Sequence, residues 1–182
     1  GNHRRYRHDF IVVGGGIAGL SAAITASEHG ARVAVLSKEK QLIDSNTRWA
    51  QGGIVGESPE DRQELLVNDI LTAGGEVNYV DAVRLLVREG PGLTRSFLRD
   101  RIHVPFTEDE QGGPALTIEA AHSVRRIFYA KDRTGDAIQR SLVRYVEEHP
   151  EIEVFSGFTA IDFITNVHNS RDSQEKYRTN RM

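Results

Sequence analysis

The sequence has 182 residues, a length typical of one domain with a well-buried core. Charged residues make up 27% of it with both signs mixed, and the formal net charge of -3 excludes the basic face that nucleic-acid binding requires. The sequence has no cysteine, which excludes disulfides, thiolate metal sites, iron–sulfur clusters and cysteine nucleophiles and favours a cytoplasmic setting. No apolar run approaches the ~18 residues of a membrane span, so no membrane partner is expected.

Residues 9–23, DFIVVGGGIAGLSAA, run from a short apolar strand through three glycines into a segment rich in alanine and leucine. The pattern over residues 17–29 predicts a helix that ends at Gly30, a common residue after a helix C-terminus. Residues 32–36 are rich in valine and predict a second strand. Strand, turn, helix and strand within about 28 residues form a βαβ unit, which predicts an α/β, Rossmann-like fold with a parallel central sheet.

A long polar stretch follows the second predicted strand. Residues 37–57 contain glycine and show no hydrophobic period, and they are too long for an ordinary connection between a strand and a helix. They are therefore a candidate binding loop. Ser58, followed by Pro59 and two acidic residues, then predicts a helix over residues 59–73, because serine caps helices and proline favours their first turn.

The second half of the chain alternates helical and extended patterns. Asp81 predicts the start of a helix that the Gly-Pro-Gly sequence at residues 90–92 interrupts, and a helical pattern resumes over residues 93–99. The remaining predictions are loops and short strands over residues 101–132 with a β-prone piece at 102–106, a helix over 134–149, and strands over 152–155 and 158–164.

The three glycines satisfy the pattern G-x-G-x-x-G between a predicted strand and a predicted helix. Gly14 permits the tight turn, Gly16 lets the backbone approach a pyrophosphate, and Gly19 lets helix and strand pack closely. The free N–H groups at the helix N-terminus then favour an anion. The pattern predicts a dinucleotide site; the alternative is that the glycines serve only close packing.

The end of the second predicted strand lacks the usual ribose ligand. A carboxylate is expected about 20 residues after the glycines, but the sequence there is Ser37-Lys38, with Glu39 just beyond. Lys38 beside the ribose would suit the 2′-phosphate of NADP, and the alternative is a solvated lysine. Spacing alone leaves both interpretations open.

Three further motifs follow in order, and together they are more specific than the glycine pattern. They are SNTRWAQGG at residues 45–53, LTIEAAHSVRRI at 116–127 and DRTG at 132–135. This ordered set resembles the N-terminal part of the L-aspartate oxidases, within the wider flavoprotein family of succinate dehydrogenase and fumarate reductase. The resemblance covers residues 9–165 and implies the N-terminal portion of an FAD-binding domain, whereas the polar residues 166–182 are expected to lead towards a missing remainder.

The resemblance implies that the glycine turn holds the FAD pyrophosphate, Lys38 lies at the ribose, the loop at residues 45–53 lines the flavin, and residues 159–160 meet the adenine end. Relatives that bind FAD covalently carry a histidine where this chain has Asn46, so the implied FAD is noncovalent. The implied cofactor-binding residues are Gly14, Gly15, Gly16, Ile17, Ala18, Gly19, Ser37, Lys38, Ser45, Asn46, Thr47, Arg48, Trp49, Ala50, Gln51, Gly52, Gly53, Thr159 and Ala160.

The same resemblance implies two substrate-orienting residues. Glu119 matches the glutamate of the family motif E-G-G-H-S, which meets the ammonium of an amino acid, and His122 matches its histidine. The alternative for Glu119 is a surface carboxylate. The two glycines of the motif are alanines at residues 120–121, and alanine costs about 1–2 kcal/mol wherever a left-handed conformation is needed. Arg125 and Arg126 are candidate anion anchors, with surface salt bridges as the favoured interpretation.

Three functions stay open on the sequence. The first is FAD-dependent oxidation of L-aspartate to iminoaspartate, with electrons passing to oxygen or fumarate, in de novo NAD biosynthesis through quinolinate. The second is a dehydrogenase or reductase of succinate and fumarate, and the third is a non-catalytic FAD-binding fragment. The resemblance implies that the substrate-gripping and proton-transferring residues lie in a later domain, so no catalytic set is complete and this chain alone is expected to be inactive. The implied partners are L-aspartate, quinolinate synthase and the C-terminal remainder.

Overall fold

The computed structural model describes residues 4–163. The predicted βαβ unit is present there, and its strands belong to a parallel sheet, so the predicted α/β fold is confirmed. The elements are β1 (Phe10–Val13), α1 (Ile17–Glu28), β2 (Val33–Ser37), α2 (Asn46–Trp49), β3 (Ile54–Val55), α3 (Gln63–Ala73), α4 (Val80–Leu93), a π-helical segment (Thr94–Arg99), β4 (Leu116–Thr117), β5 (Ile127–Phe128), α5 (Thr134–Glu147) and β6 (Ile152–Ser156).

The parallel sheet has the strand order β1-β2-β6, with β2 in the centre. Val35 pairs with Val12 on one side and with Val154 on the other. Helices α1 and α5 supply apolar side chains to the same core, whose fully buried members include Leu20, Ile24, Val35, Leu142 and Val146. Within the described residues β1 is an edge strand, and Ile11 is 63% exposed. The carboxyl ends of β1 and β2 therefore lie side by side.

A smaller antiparallel sheet has the order β3-β5-β4. Ile127 pairs with Val55 in β3 and with Thr117 in β4, while Phe128 is buried in the main core. The loop over residues 118–126 connects β4 to β5, so this sheet fixes both ends of the loop that carries the E-A-A-H-S sequence.

Helix α3 begins four residues later than predicted. Ser58 does not cap it: the Ser58 hydroxyl accepts the N–H of Glu60 over 3.3 Å, and the Ser58 carbonyl accepts the N–H of Asp61 over 3.1 Å. These bonds close a turn. The carboxylate of Asp61 is bound by Arg126, 65 residues away in sequence, and the helix starts only after Arg62.

Helix α4 also differs from the prediction, because it starts at Val80 and continues through Pro91. The chain then widens into the π-helical segment, whose end is closed by a bond from the N–H of Asp100 to the carbonyl of Arg95 over 2.9 Å. The hydroxyl of Thr94 donates to the carbonyl of Gly90 over 3.2 Å. The sequence predicted a break at residues 90–92, whereas the helix continues through Pro91 and ends only at Leu93.

Two predicted strands are absent from the described residues. Residues 102–106 form a turn and an irregular connection without strand pairing, in which His103 has a φ of +57°. Residues 158–163 also form no strand, because Gly157 turns with a φ of +76° and the N–H of Phe158 then donates to the carbonyl of Ser37 over 3.0 Å. Residues 164–182, including the end of that predicted strand and the polar tail, lie outside the described residues.

A broad groove of about 1030 Å³ runs between α1 and α4. Its walls are mainly apolar and include Ile17, Ala22, Ile70, Leu86 and Phe97. It offers few groups for a charged ligand. None of the helices within residues 4–163 has the length and apolar content required to cross a bilayer.

Candidate functional site

The glycine turn lies between β1 and α1 with the geometry that its sequence predicts. Gly14 has a φ of +117°, a conformation that favours glycine, and its N–H donates to the carbonyl of Leu36 over 2.9 Å. A Cβ added at Gly19 would lie 2.0 Å from the carbonyl oxygen of Gly14. Only glycine at position 19 allows the helix to approach the turn this closely.

The N-terminus of α1 presents unpaired backbone donors. Among the described residues, the N–H groups of Gly15, Gly16 and Ala18 donate to no protein oxygen. Gly16 is the N-cap and supplies no side-chain acceptor, and the first turn contains no acidic residue. Such an end carries the partial positive charge of the helix dipole, so it suits an anion such as a pyrophosphate. The next N–H, at Ile17, donates to the hydroxyl of Thr47 over 2.9 Å.

A cleft of about 800 Å³ opens at this turn, a volume within the usual range for ligand pockets. Four separate segments of the chain form its walls. Of the residues predicted from the sequence, it is lined by Gly14, Gly15, Gly16, Ser37, Lys38, Ser45, Asn46, Thr47, Trp49, Thr159 and Ala160. Its other lining residues are Val13, Leu36, Glu39, Asp44 and Phe158.

The remaining predicted cofactor residues do not line this cleft. Ile17, Ala18 and Gly19 form the first turn of α1, next to the lining glycines. Arg48 is bound to Asp44 over 2.6 Å. The residues from 50 to 53 continue away from the cleft towards β3 and the loop that carries Glu119.

Gln139, in α5, supports the glycine turn and was not predicted as a site residue. Its side chain is fully buried, and its Nε2 donates to the carbonyl of Gly15 over 2.7 Å and to that of Leu42 over 3.0 Å. It thereby connects the turn to the loop after β2. The sequence gives no signal for this role, because one glutamine in an amphipathic helix more than a hundred residues away resembles any other polar residue.

The loop after β2 is fixed by a short helix and an ion pair. The Ser45 hydroxyl accepts the N–H of Arg48 over 3.3 Å at the start of α2, and Arg48 also binds Asp136 in α5 over 3.2 Å. Hydrogen bonding from Arg140, with a smaller contribution from Arg48, holds the pKa of Asp136 below its ordinary value. Trp49 is 69% exposed at the rim of the cleft. The segment that the resemblance assigns to the flavin is therefore anchored to the domain at its polar residues.

The Q-G-G end of that loop meets the carboxylate of Glu119. A Cβ added at Gly52, which has a φ of +78°, would lie 2.9 Å from Glu119 Oε1. At Gly53 an added Cβ would lie 2.2 Å from Cγ2 of Ile127 and 2.5 Å from the carbonyl oxygen of Phe128. The glycines thus let the loop lie against both β5 and Glu119, whose side chain is exposed to solvent on its other side.

The residues between Glu119 and His122 form a tight turn. The N–H of His122 donates to the carbonyl of Glu119 over 3.1 Å. Ala121, at the third position, has a φ of +72°, whereas Ala120 is outside the left-handed region. Ala121 therefore has a backbone conformation that glycine would adopt without strain.

Arg126 does not form the surface salt bridge that the sequence analysis favoured, because its side chain is 0% exposed. It binds the carboxylates of Asp61 and Asp69 over 2.7 and 2.5 Å. Burial alone lowers the pKa of Arg126, but the hydrogen bonds to the two carboxylates outweigh burial and raise it. Burial likewise pushes the pKa of Asp69 upward, while hydrogen bonds from Arg126 and Ser123 hold it below the ordinary value. A buried charged cluster therefore lies next to the turn.

Two curated relatives share much of this sequence. Residues 9–174 match the family described as FAD binding domain. The chain is 41% identical over 170 residues to the L-aspartate oxidase of Pseudomonas aeruginosa, which covers 89% of this chain and 31% of that protein. It is 44% identical over 140 residues to the L-aspartate oxidase of Streptomyces coelicolor, which covers 76% of this chain and 24% of that protein. The chain thus spans about a quarter to a third of the length of these relatives.

Solved structures share the fold. The Mycobacterium smegmatis Sdh1 complex in the apo form matches with a TM-score of 0.76 at 27% identity, over 85% of this chain and 28% of that one. A mutant of E. coli quinol fumarate reductase FrdA matches with a TM-score of 0.77 at 25% identity, over 84% of this chain and 26% of that one. The free amides and the cleft at the glycine turn fit a dinucleotide, and the family match supports FAD as that cofactor. The chain belongs to the FAD binding domain family.

Proposed function

We propose that this chain is the FAD-binding N-terminal part of an enzyme that oxidises L-aspartate to iminoaspartate and passes the electrons to oxygen or fumarate. The identity to two bacterial L-aspartate oxidases supports this proposal. The proposal includes the supply of iminoaspartate for quinolinate and NAD biosynthesis in the cytoplasm, with quinolinate synthase as a partner. These finer points rest on the resemblance alone.

The observation that carries the choice of substrate is the position of Glu119. Its carboxylate lies against Gly52, in the loop that the resemblance assigns to the flavin. A carboxylate attracts the ammonium group of an amino acid and repels the carboxylates of succinate. Glu119 therefore favours an α-amino dicarboxylate over a plain dicarboxylate as the molecule oxidised at this site.

The residues of this chain would bind and orient rather than carry out the chemistry. FAD, when bound, supplies the acceptor for two electrons and a proton. The free N–H groups of Gly15, Gly16 and Ala18 would hold its pyrophosphate, and Lys38 would lie at the ribose. Asn46 lines the cleft and has no nucleophilic nitrogen for the covalent bond that histidine forms in some relatives, so FAD would be held noncovalently.

A second function rests on the solved structures. The Sdh1 complex and the FrdA subunit share the fold at TM-scores of 0.76 and 0.77, which supports a flavoprotein that acts on succinate or fumarate. The position of Glu119 argues against it, because no group on either dicarboxylate would pair with this carboxylate.

The experiment uses two proteins, each loaded with FAD under anaerobic conditions. One is the chain alone, and the other joins residues 9–174 to the rest of the Pseudomonas aeruginosa relative. The absorbance of oxidised flavin is followed on addition of L-aspartate or succinate, and acid precipitation tests whether the flavin is released. We expect bleaching of the joined protein by L-aspartate, no bleaching of the chain alone, and full release of flavin. Bleaching of the joined protein by succinate but not by L-aspartate would favour the second function. Flavin binding to the joined protein without reduction by either compound would favour a non-catalytic fragment.

A matched variant isolates the contribution of Glu119. Glu119→Gln keeps the shape of the side chain and removes its charge. We expect the KM for L-aspartate in the joined protein to rise at least about ten-fold, as for a lost charged hydrogen bond, with the FAD affinity unchanged. An unchanged KM would mean that Glu119 is the surface carboxylate of the alternative interpretation.

A further inference from the structure

One buried guanidinium group contacts His122, and all of its donors are used. Nε of Arg126 donates to Asp61 Oδ2 over 2.7 Å, and Nη2 donates to Asp61 Oδ1 over 2.8 Å. Nη1 donates to Asp69 Oδ2 over 2.5 Å and to His122 Nδ1 over 2.9 Å. The second hydrogen of Nη2 is directed to Ser123 Oγ over 3.4 Å. Because an arginine has five N–H donors, this set leaves none free and fixes the orientation of the guanidinium.

This contact determines which nitrogen of His122 carries the proton. A guanidinium donates hydrogen bonds and accepts none, so Nδ1 of His122 contributes its lone pair. The proton of the neutral ring is then on Nε2. Among the described residues the only side-chain hydrogen bond of His122 is the one to Arg126, whereas Asp69 Oδ2 accepts from Arg126 and from the backbone N–H and the hydroxyl of Ser123.

The free donor of His122 and the carboxylate of Glu119 extend from one turn. Nε2 lies on the side of the ring away from Arg126, and within residues 4–163 it has no hydrogen-bond partner. The His122 side chain is half-buried, and the backbone of His122 is bonded to that of Glu119 over 3.1 Å. The turn thus offers an acceptor for an ammonium and an N–H donor for a carboxylate, the two groups that an α-amino acid presents.

We infer that Arg126 is a positioning residue that holds His122 as the Nε2–H tautomer, and that His122 donates a hydrogen bond to a substrate carboxylate rather than removing a proton. The identity of the ligand rests on the proposed function, whereas the tautomer does not. Asp61 and Asp69 take part by holding the guanidinium, although both are distant from the turn in sequence.

The tautomer is measured directly by long-range ¹H–¹⁵N spectra of the ¹⁵N-labelled chain at neutral pH. The His122→Gln variant identifies the His122 signals by their disappearance. We expect Nδ1 in the chemical-shift range of an unprotonated nitrogen and Nε2 in that of a protonated one. A proton on Nδ1, or rapid exchange between the two tautomers, would overturn the inference about Arg126.

The role of the donor is measured in the joined protein with two variants. The amide of His122→Asn reaches the position of Nδ1 and loses the outer donor, whereas that of His122→Gln reaches the position of Nε2. We expect the KM for L-aspartate to rise about ten-fold or more in His122→Asn, with kcat and FAD affinity nearly unchanged, and to recover in His122→Gln. A loss of kcat in both variants would indicate a base, and an unchanged KM in both would exclude substrate contact. If the unmodified joined protein does not oxidise L-aspartate, the proposed function fails, and the tautomer measurement still decides the role of Arg126.

Discussion

Replacing Ala121 with glycine should stabilise the chain, because alanine is strained at a φ of +72°. The left-handed conformation costs an L-residue about 1–2 kcal/mol. Glycine offsets about 0.4–1 kcal/mol of this gain, since it makes the unfolded chain more flexible. Ala121 is exposed, so its methyl group contributes little packing. The net expectation is an increase of about 0.5–1 kcal/mol in the free energy of unfolding.

Urea unfolding followed by circular dichroism measures this difference. With a slope of about 2 kcal/mol per molar urea, the midpoint should rise by about 0.3–0.5 M. The matched control is Ala120→Gly, at an exposed position outside the left-handed region, which should lower the free energy of unfolding by about 0.4–1 kcal/mol. If the two glycine variants changed the midpoint in the same direction and by the same amount, the strain assigned to Ala121 would be refuted.

Three further outcomes are expected. Gly19→Ala should weaken FAD binding at least about ten-fold in a fluorescence titration, because its Cβ would meet the carbonyl of Gly14 and force the turn apart; undiminished affinity would contradict this. Thr47→Val should lower the free energy of unfolding by about 1–2 kcal/mol in urea and Thr47→Ser by much less, because the hydroxyl accepts the first N–H of α1. Equal losses in the two variants would indicate that Thr47 acts through packing instead. The pKa of Asp69 is lower in the folded state than its ordinary value of 3.8. Its stabilising contribution is therefore present above pH 3.8 and is lost as the pH falls through the folded pKa. Asp69→Asn should flatten the acid limb of a plot of unfolding free energy against pH, and an unchanged limb would contradict the assignment to Asp69.

The sequence alone determined the βαβ unit and the glycine turn. Helix α1 and its flanking strands lie within residues 10–37, where hydrophobic period and glycine placement specify local backbone conformation. Gly14 has a left-handed φ, and Gly19 lets α1 approach the turn closely. Both features depend only on residues nearby in the sequence. The motifs and their order along the chain likewise identified the family, because both are properties of the sequence.

The errors in the predicted elements have tertiary causes. Ser58 is a good helix cap, yet the chain turns there, and Asp61 just after it pairs with Arg126 across 65 residues. Pro91 is a strong local break, yet α4 passes through it and buries Val83 and Val87 against α3. A local signal predicts what a segment prefers in isolation, and packing partners overrule that preference when they supply more free energy.

The cleft itself was decided only by the tertiary structure. Four segments as far apart as Gly14 and Thr159 form its walls, and Gln139 supports the glycine turn from α5. The burial of Arg126 among carboxylates from α3 and the turn before it has the same origin. Sequence determines which residues can form a strand, a cap or a glycine turn, because those depend on neighbouring atoms. Which distant residues meet depends on how the sheets and helices pack, and that is fixed by the burial of the whole core.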